Sequence, residues 1–380
     1  MDIDDPRVFP AHADAAQAPL FQLAEASLAA SSTLRSDEID RTLVTALVRR
    51  LEGGDGSFLA ELVAAAPSAP VARHLWRRSI DAWREASRGE RRDRLAATLF
   101  ALPLVLVAAG ADGDAAIVGI LGDRERVAAI LREHRALGGG ETFALASPLV
   151  AADAFDLARL PQLLAWQRQA ASGAVDHLDL HPTPLAVNGR QEGVHLRFLV
   201  GVALAGPNAD LLRETAPAGW AMPLAQELAR QLAGPGYTVL VLPRAPQPPL
   251  AALQQGRGAQ REIGAQLFAS NAIRRLRASV GEPSAVISAH RSAGAPGGGE
   301  LRLSLSNPYD SRQAEGFRCP LFAGERVADI AQMLADLLRD CRVADVQALP
   351  GVHPDRDPAT GMTLLFRADA IDAARQSIVH

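Results

Sequence analysis

The amino-acid sequence predicts an α/β protein, with mixed sheets and flanking helices, preceded by a mostly helical N-terminal region. Two observations predict this class. Through the first ninety residues apolar side chains recur at helical spacing, and from Leu95 onwards short apolar runs typical of strands alternate with amphipathic segments. A third observation, a strand–helix–strand pattern that occurs twice, suggests an internal duplication of the α/β unit.

The N-terminal region is predicted to be helical from two apolar stripes. The first recurs every four residues before a glycine-rich break at 53–56, and its members are Ile39, Leu43, Leu47 and Leu51. Ser36 stands where a residue could cap this helix. The second stripe has the spacing i, i+4, i+7 and consists of Trp76, Ile80 and Trp83. We therefore expect a helical unit over residues 1–90.

The remainder of the chain is predicted to alternate between strands and helices. Strands are expected at 98–109, 142–150, 176–187, 194–205, 237–242, 284–290, 300–306, 343–349 and 362–367. Helices are expected between them, at 124–137, 153–171, 221–233, 251–280 and 325–341. An Asn188–Gly189 turn joins two of the strands as a hairpin with a long loop.

One run, residues 95–111, is apolar enough to allow a second interpretation. It carries no charge and follows the arginine-rich tetrapeptide 91–94, as in a membrane-spanning helix with positive residues on its cytoplasmic side. The run contains Pro103, however, and is at the lower length limit for a span. We therefore predict a buried strand and no membrane partner.

The pattern that occurs twice has two related first strands, residues 104–110 (LVLVAAG) and 199–206 (LVGVALAG). The first strands end 96 residues apart, at 110 and 206, and the second strands begin 95 residues apart, at 142 and 237. These offsets predict two α/β units. We expect domains at 1–90, 91–190 and 191–380, with a C-terminal helix and hairpin in the last.

The composition excludes several kinds of chemistry. All 39 positive charges are arginine, so a phosphate-binding P-loop lysine and a Schiff-base lysine are both impossible. The net charge of −4 gives no global attraction to nucleic acid, which we do not expect as a partner. Arginine without lysine, on an alanine-rich background, is typical of a GC-rich bacterial genome. The acidic N-terminus has no apolar signal segment, so we expect a cytoplasmic protein.

The segment from Asp176 to His181 (DHLDLH) contains a candidate metal site. On a strand, His177, Asp179 and His181 share one face, because side chains alternate between faces. Imidazole and carboxylate groups converging there could hold zinc or manganese. His195, across the predicted hairpin, is the candidate for a further ligand. The alternative is an ordinary half-buried strand with a polar outer face.

The candidate catalytic residues are Ser288 and His290, at the end of a predicted strand before a glycine-rich loop. They share a strand face, but a serine nucleophile also needs a third orienting group and an oxyanion hole. No GxSxG motif accompanies them. A polar strand end of purely structural character is the alternative.

The tetrapeptide RVAD occurs at 326–329 and again at 342–345. It resembles the short RxxD motif by which some bacterial signalling domains bind a cyclic dinucleotide. The candidate binding residues are Arg326, Asp329, Arg342 and Asp345. The alternative is ion pairing on a helix surface.

The sequence favours a non-catalytic bacterial protein that acts by binding a protein partner or by self-association. The first alternative is a metal-dependent hydrolase that uses the face of His177, Asp179 and His181. The second is a regulator that binds a cyclic dinucleotide through the RxxD residues. The sequence identifies no cofactor and no small-molecule ligand.

Overall fold

The computed structural model describes residues 16–87, 91–92, 95–108, 120–137, 142–146, 148–171, 193–205, 219–232, 237–242, 244, 246–279, 281–291, 299–307, 314–322 and 325–353. The chain divides into two compact units. One consists of Met1–Leu43, Glu61–Arg78 and Arg261–His380, and the other of Val44–Ala60 and Ser79–Gln260. The division at residues 90 and 190 stays a prediction about domains, and the two compact units cut across it.

The N-terminal region is helical, as predicted. Its helices are α1 (Ala18–Leu28), α2 (Thr33–Glu52), α3 (Gly56–Ala64) and α4 (Ala69–Ser87). The helix cap is not Ser36, because α2 begins three residues earlier. Ser32 Oγ instead accepts a hydrogen bond from the Arg35 amide at 3.3 Å, which is the contact an N-cap residue makes. The glycines at 53 and 54 end α2, as the sequence indicates.

The first sheet belongs to the unit formed by Val44–Ala60 and Ser79–Gln260, and all its strand pairs are antiparallel. Its strands are β1 (Arg91–Arg92), β2 (Leu95–Ala108), β3 (Thr142–Leu145), β4 (Val150–Ala151), β5 (Val194–Ala205) and β6 (Tyr237–Val241). The two long strands, β2 and β5, lie side by side at its centre. β3 and β4 pair with the outer side of β5, and β6 and β1 pair with the outer side of β2.

The described part of the apolar run that could have been a membrane span, residues 95–108, is therefore a strand. Leu99, Phe100, Leu102 and Leu104 of β2 are all fully buried, which confirms the predicted buried strand. Across the described part of the chain, the helices lack the length and apolarity needed to cross a bilayer.

Two helices connect the strands of this sheet in equivalent ways. Helix α5 (Arg124–Glu133) lies between β2 and β3, and α7 (Ala221–Leu232) lies between β5 and β6. The spatial order β6-β2-β5-β3 is the split β-α-β arrangement of ferredoxin-like folds. Each second strand pairs with the first strand of the other β-α-β unit.

The registers of these pairs carry the offsets seen in the sequence. Thr142 lies opposite Leu204, and Tyr237 lies opposite Ala108. Tyr237 is 95 positions after Thr142, and Leu204 is 96 positions after Ala108. The two pairs of facing residues are therefore related by nearly the same offset. The topology is symmetric in this sense, although a duplication of the sequence is not confirmed.

One face of the first sheet packs against α5 and α7. Its core includes the buried side chains of Phe100, Leu131, Leu199, Trp220 and Leu228. Gly201, in β5, is required here because a Cβ atom would lie only 2.5 Å from Cζ of Phe100. Helix α6 (Leu160–Ala171) contacts β2 and β5.

The other unit contains a mixed sheet. Its elements are the part of α8 (Pro249–Ser279) after Gln260, β7 (Ser284–Arg291), β8 (Gly299–Ser306), β9 (Ala314–Pro320), α9 (Val327–Asp340) and β10 (Asp345–His353). The strand order is β10-β7-β8-β9, in which only β10 and β7 are parallel. One face packs against α9 and the part of α8 after Gln260, and its buried side chains include Ala269, Ile287, Leu303 and Leu334.

The fold class predicted from the sequence is confirmed, with two sheets and flanking helices after a helical region. Strand β9 is not predicted, because its sequence AEGFRCP contains glycine, proline and two charged residues and has no apolar alternation. The predicted strands at 176–187 and 362–367 lie outside the described residues.

Candidate functional site

Strands β7, β8 and β9 place a group of polar side chains on one face of the second sheet. Along β8, Leu301, Leu303 and Leu305 point into the apolar core, so the residues between them point to the other face. Ser288 is opposite Arg302, and Arg302 is opposite Arg318. His290 is opposite Glu300. We call Ser288, His290, Glu300, Arg302 and Arg318 the polar stripe.

The polar stripe is buried over most of its length. Ser288, His290, Glu300 and Arg302 are all buried, and Arg302 keeps only 1% of its surface accessible. The side chain of Arg318, at the outer strand, is 46% exposed. The face that the sequence pattern would assign to solvent is therefore buried, which requires its polar atoms to have partners.

The carboxylate of Glu300 is the shared hydrogen-bond partner of the two arginines. Its Oε1 atom accepts a hydrogen bond from Arg302 Nε at 2.5 Å and another from Arg318 Nε at 2.9 Å. Buried charges are tolerated when they are paired in this way, and removal of one partner is costly. The carboxylate thus links β8 to β9, and Arg302 extends the contacts to His290 on β7.

Ser288 and His290 are in direct contact. The Oγ atom of Ser288 lies 2.8 Å from Nε2 of His290, and Nη1 of Arg302 lies 3.3 Å from Nδ1 of the same ring. A guanidinium can only donate hydrogen bonds. Nδ1 must therefore accept, which places the imidazole proton on Nε2, and Nε2 donates to Ser288 Oγ.

This hydrogen-bond direction is the reverse of that in a serine nucleophile. There the imidazole accepts the serine proton at one nitrogen and donates to a carboxylate from the other. In this protein Arg302 occupies the position of that carboxylate. The sequence brings the predicted pair together, but the pair lacks a general base in this tautomer, and its catalytic role stays a prediction.

Sequence reasoning missed Glu300 and Arg302. Both lie in the alternating segment ELRLSLS, where a charged residue between leucines indicates a solvent-facing side chain. No signal in that segment alone shows that the polar face is buried. Their opposition to Ser288 and His290 depends on strand register, which a single sequence does not give.

A second polar cluster lies in the helical region. Asp40 of α2 accepts hydrogen bonds from Ser27 of α1, at 2.6 Å, and from Nε2 of His74 of α4, at 2.8 Å. Arg78 Nη1 is 3.4 Å from the other carboxylate oxygen. Burial lowers the pKa of His74, an effect that Asp40 partly opposes and that Arg78 and Arg77 reinforce. We call this cluster the Asp40 junction.

Of the four predicted metal ligands, the structure describes one. His195 lies in β5 opposite Leu106, and His177, Asp179 and His181 fall outside the described residues. Burial, and then the neighbouring Arg197, lower the pKa of His195. Where side chains are described, no group of three or more His, Cys, Asp or Glu residues is arranged to hold a metal ion. The metal site stays a prediction.

The two RxxD motifs lie at opposite ends of α9. Arg326 is the residue before the helix and Asp329 is in its first turn, whereas Arg342 and Asp345 follow the last turn. A helix of 14 residues is about 21 Å long. The structure therefore does not bring the two motifs together, and binding of a cyclic dinucleotide stays a prediction.

The two cysteines are free thiols. Cys319 of β9 is buried in the apolar core of the second sheet, and Cys341 follows α9 and is half-buried. Burial raises the pKa of Cys319 to about 12, so this thiol is protonated at neutral pH.

Comparison of the chain with models of protein families, with curated proteins and with solved structures gives no match.

Proposed function

We propose that this protein is a non-catalytic binding protein of the bacterial cytoplasm, which acts by docking to a protein partner or by assembling with copies of itself. The observation that carries the proposal is the pair of contacts at His290, one to Ser288 and one to Arg302. Because Arg302 donates to Nδ1, the imidazole donates to Ser288 and does not withdraw its proton. This arrangement of hydrogen bonds supports a structural role for Ser288 and His290.

An exposed apolar pair supports the binding part of the proposal. Leu28, at the end of α1, is 48% exposed, and Leu34, at the start of α2, is 80% exposed. We call these two residues the apolar tip. A fully buried leucine contributes about 1.5–3 kcal/mol relative to an exposed one, so coverage of the apolar tip by a partner would be favourable.

The first experiment tests the absence of a nucleophile. Wild-type protein and the Ser288→Ala variant are incubated with a fluorophosphonate probe, which labels activated serines, and the product is analysed by mass spectrometry. We expect no adduct at Ser288. Stoichiometric labelling of Ser288, lost in the variant, would contradict the proposal and favour a hydrolase.

The second experiment tests association. Sedimentation velocity is measured for wild-type protein and for Leu34→Gln from about 1 μM to about 100 μM. We expect the wild type to self-associate with increasing concentration and the variant to do so at least about tenfold more weakly, which corresponds to about 1.4 kcal/mol. Equal association of the two proteins would exclude the apolar tip as the contact. A wild type that stays monomeric would exclude self-assembly and leave a different protein as the partner.

A further inference from the structure

The Asp40 junction joins three helices at a single carboxylate. Ser27 is contributed by α1, Asp40 by α2, and His74 and Arg78 by α4. Ser36 extends the cluster, since its Oγ atom is 3.0 Å from that of Ser27. The side chains of His74 and Asp40 are each only 12% exposed, so these contacts are made largely out of water.

At neutral pH the charges of the Asp40 junction balance. Asp40 carries one negative charge and Arg78 one positive charge, and a neutral His74 donates its Nε2 proton to the carboxylate. A carboxylate only accepts hydrogen bonds, so Ser27 and His74 are both donors. Neutral His74 therefore makes its hydrogen bond to Asp40 without adding a charge to the junction.

Uptake of a proton by His74 changes this balance. The imidazolium would be the second positive charge beside a single carboxylate, next to Arg78 and near Arg77. Burial also disfavours the charged ring, and burial is the largest cause of the lowered pKa of His74. The attraction of Asp40 acts in the opposite direction and is outweighed. A state in which His74 is in water binds the proton more tightly.

We propose that the Asp40 junction is an acid-sensitive latch, in which protonation of His74 shifts α4 and the α1–α2 pair towards an open state. The groups that act on His74 are Asp40 from α2 and Arg77 and Arg78 from its own helix; the α1 contribution to the cluster is the uncharged Ser27. Below pH 6.5, the usual value for histidine, one proton can raise the population of the open state by at most about tenfold per pH unit.

The latch lies next to the apolar tip. Ser27 precedes Leu28 in α1, and Ser36 is two residues beyond Leu34 in α2. Opening of the junction would therefore move α4 relative to the two helices that carry these leucines. This consequence for binding rests on the proposed function, whereas the latch itself does not.

Hydrogen exchange measured by mass spectrometry tests the latch. Exchange of the peptides of α1 and of residues 69–78 is compared at about pH 7.5 and about pH 5.5, after correction for the intrinsic rates. We expect the corrected exchange to be faster at the lower pH in the wild type. The His74→Gln variant keeps an N–H donor but cannot titrate, and we expect no acid-induced increase in it.

Arg77→Gln is the matched variant. It removes one cause of the lowered pKa of His74, so the folded and unfolded values approach each other and the acid response should be smaller than in the wild type. His134→Gln, in the other unit, should respond as the wild type does.

Two results would overturn the latch. One is an acid response of His74→Gln equal to that of the wild type, and the other is a wild type without an acid response in these peptides. If His74→Gln does not fold, the titration of the His74 ring in wild-type protein, followed by nuclear magnetic resonance, decides the question. A midpoint at or above pH 6.5 would refute the proposal. Association of the apolar tip is measured separately, so either idea can fail alone.

Discussion

Two glycines in α8 form a matched pair of substitutions. Gly256 and Gly258 are two positions apart in the same helix, and both lie on the N-terminal side of Gln260, in one compact unit. A Cβ atom added to Gly258 would meet no other atom within 4 Å. A Cβ atom added to Gly256 would lie 2.7 Å from Leu196 Cδ1 and 3.0 Å from Pro103 Cβ. The two positions thus differ in packing.

The expected effects follow from two opposing contributions. Replacement of glycine by alanine inside a helix stabilises the folded state by about 1 kcal/mol, because glycine loses more backbone entropy on folding. Gly258→Ala should gain this amount. Gly256→Ala gains it too, but overpacking costs about 1–3 kcal/mol, so its free energy of unfolding should be unchanged or lower by up to about 2 kcal/mol. The difference between the variants measures the packing cost alone.

Urea unfolding, followed by circular dichroism, measures both variants against the wild type. Two compact units need not unfold together, so the comparison uses the transition that Gly258→Ala shifts and requires equal slopes in urea. We expect a higher midpoint for Gly258→Ala and an unchanged or lower one for Gly256→Ala. Equal stabilisation by both would show that Leu196 moves aside without cost, and would refute the packing argument.

Three further predictions concern buried groups. Burial and then Arg197 lower the pKa of His195, so the unfolded chain binds the proton more tightly and the stability of the wild type should fall as pH drops through 6.5. The His195→Gln variant should show a smaller fall. If the unfolding midpoint of the variant has the same pH profile as that of the wild type, this prediction is wrong. Arg302→Met should lower the free energy of unfolding by about 3 kcal/mol, because the buried carboxylate of Glu300 loses a partner. Ser288→Ala should lower it by about 1 kcal/mol. If urea titrations show similar losses of stability for the two variants, they would argue against a buried ion pair. Cys319, whose pKa burial raises to about 12, should not react with Ellman's reagent at about pH 8 until the protein unfolds, and rapid release of two thiolates from native protein would refute its burial.

The sequence predicts most elements of this fold but not how they pair. Helical spacing and apolar runs locate β2, α5, α7 and β8 to within a few residues, because burial of one face leaves a periodic pattern. The pairing of β3 with β5 and of β6 with β2 joins segments far apart in the chain. Such pairing depends on which apolar faces find each other, and a single sequence holds no record of it.

The candidate site shows the same limit at the level of side chains. The shared strand face of Ser288 and His290 follows from their spacing, and the structure places them in hydrogen-bonding contact. Arg302, which fixes the proton on the imidazole, comes from the neighbouring strand, so its role depends on register. Polar alternation in β8 indicates an outer face, and nothing local shows that this face is buried.

The exchange of second strands between the two β-α-β units has a consequence for synthesis on the ribosome. Strand β2 leaves the exit tunnel long before β5, because the residues of β5 that pair with β2 come about a hundred positions later in the chain. At a translation rate of about 5–20 residues per second, its apolar side chains wait about 5–20 s for their partners. During that time the nascent chain exposes an uncharged apolar segment without the partners that β5 and β6 supply later, and such an unpaired edge promotes aggregation. Neither β-α-β unit can cover its own first strand, because β6 of the second unit pairs with β2 and β3 of the first unit pairs with β5.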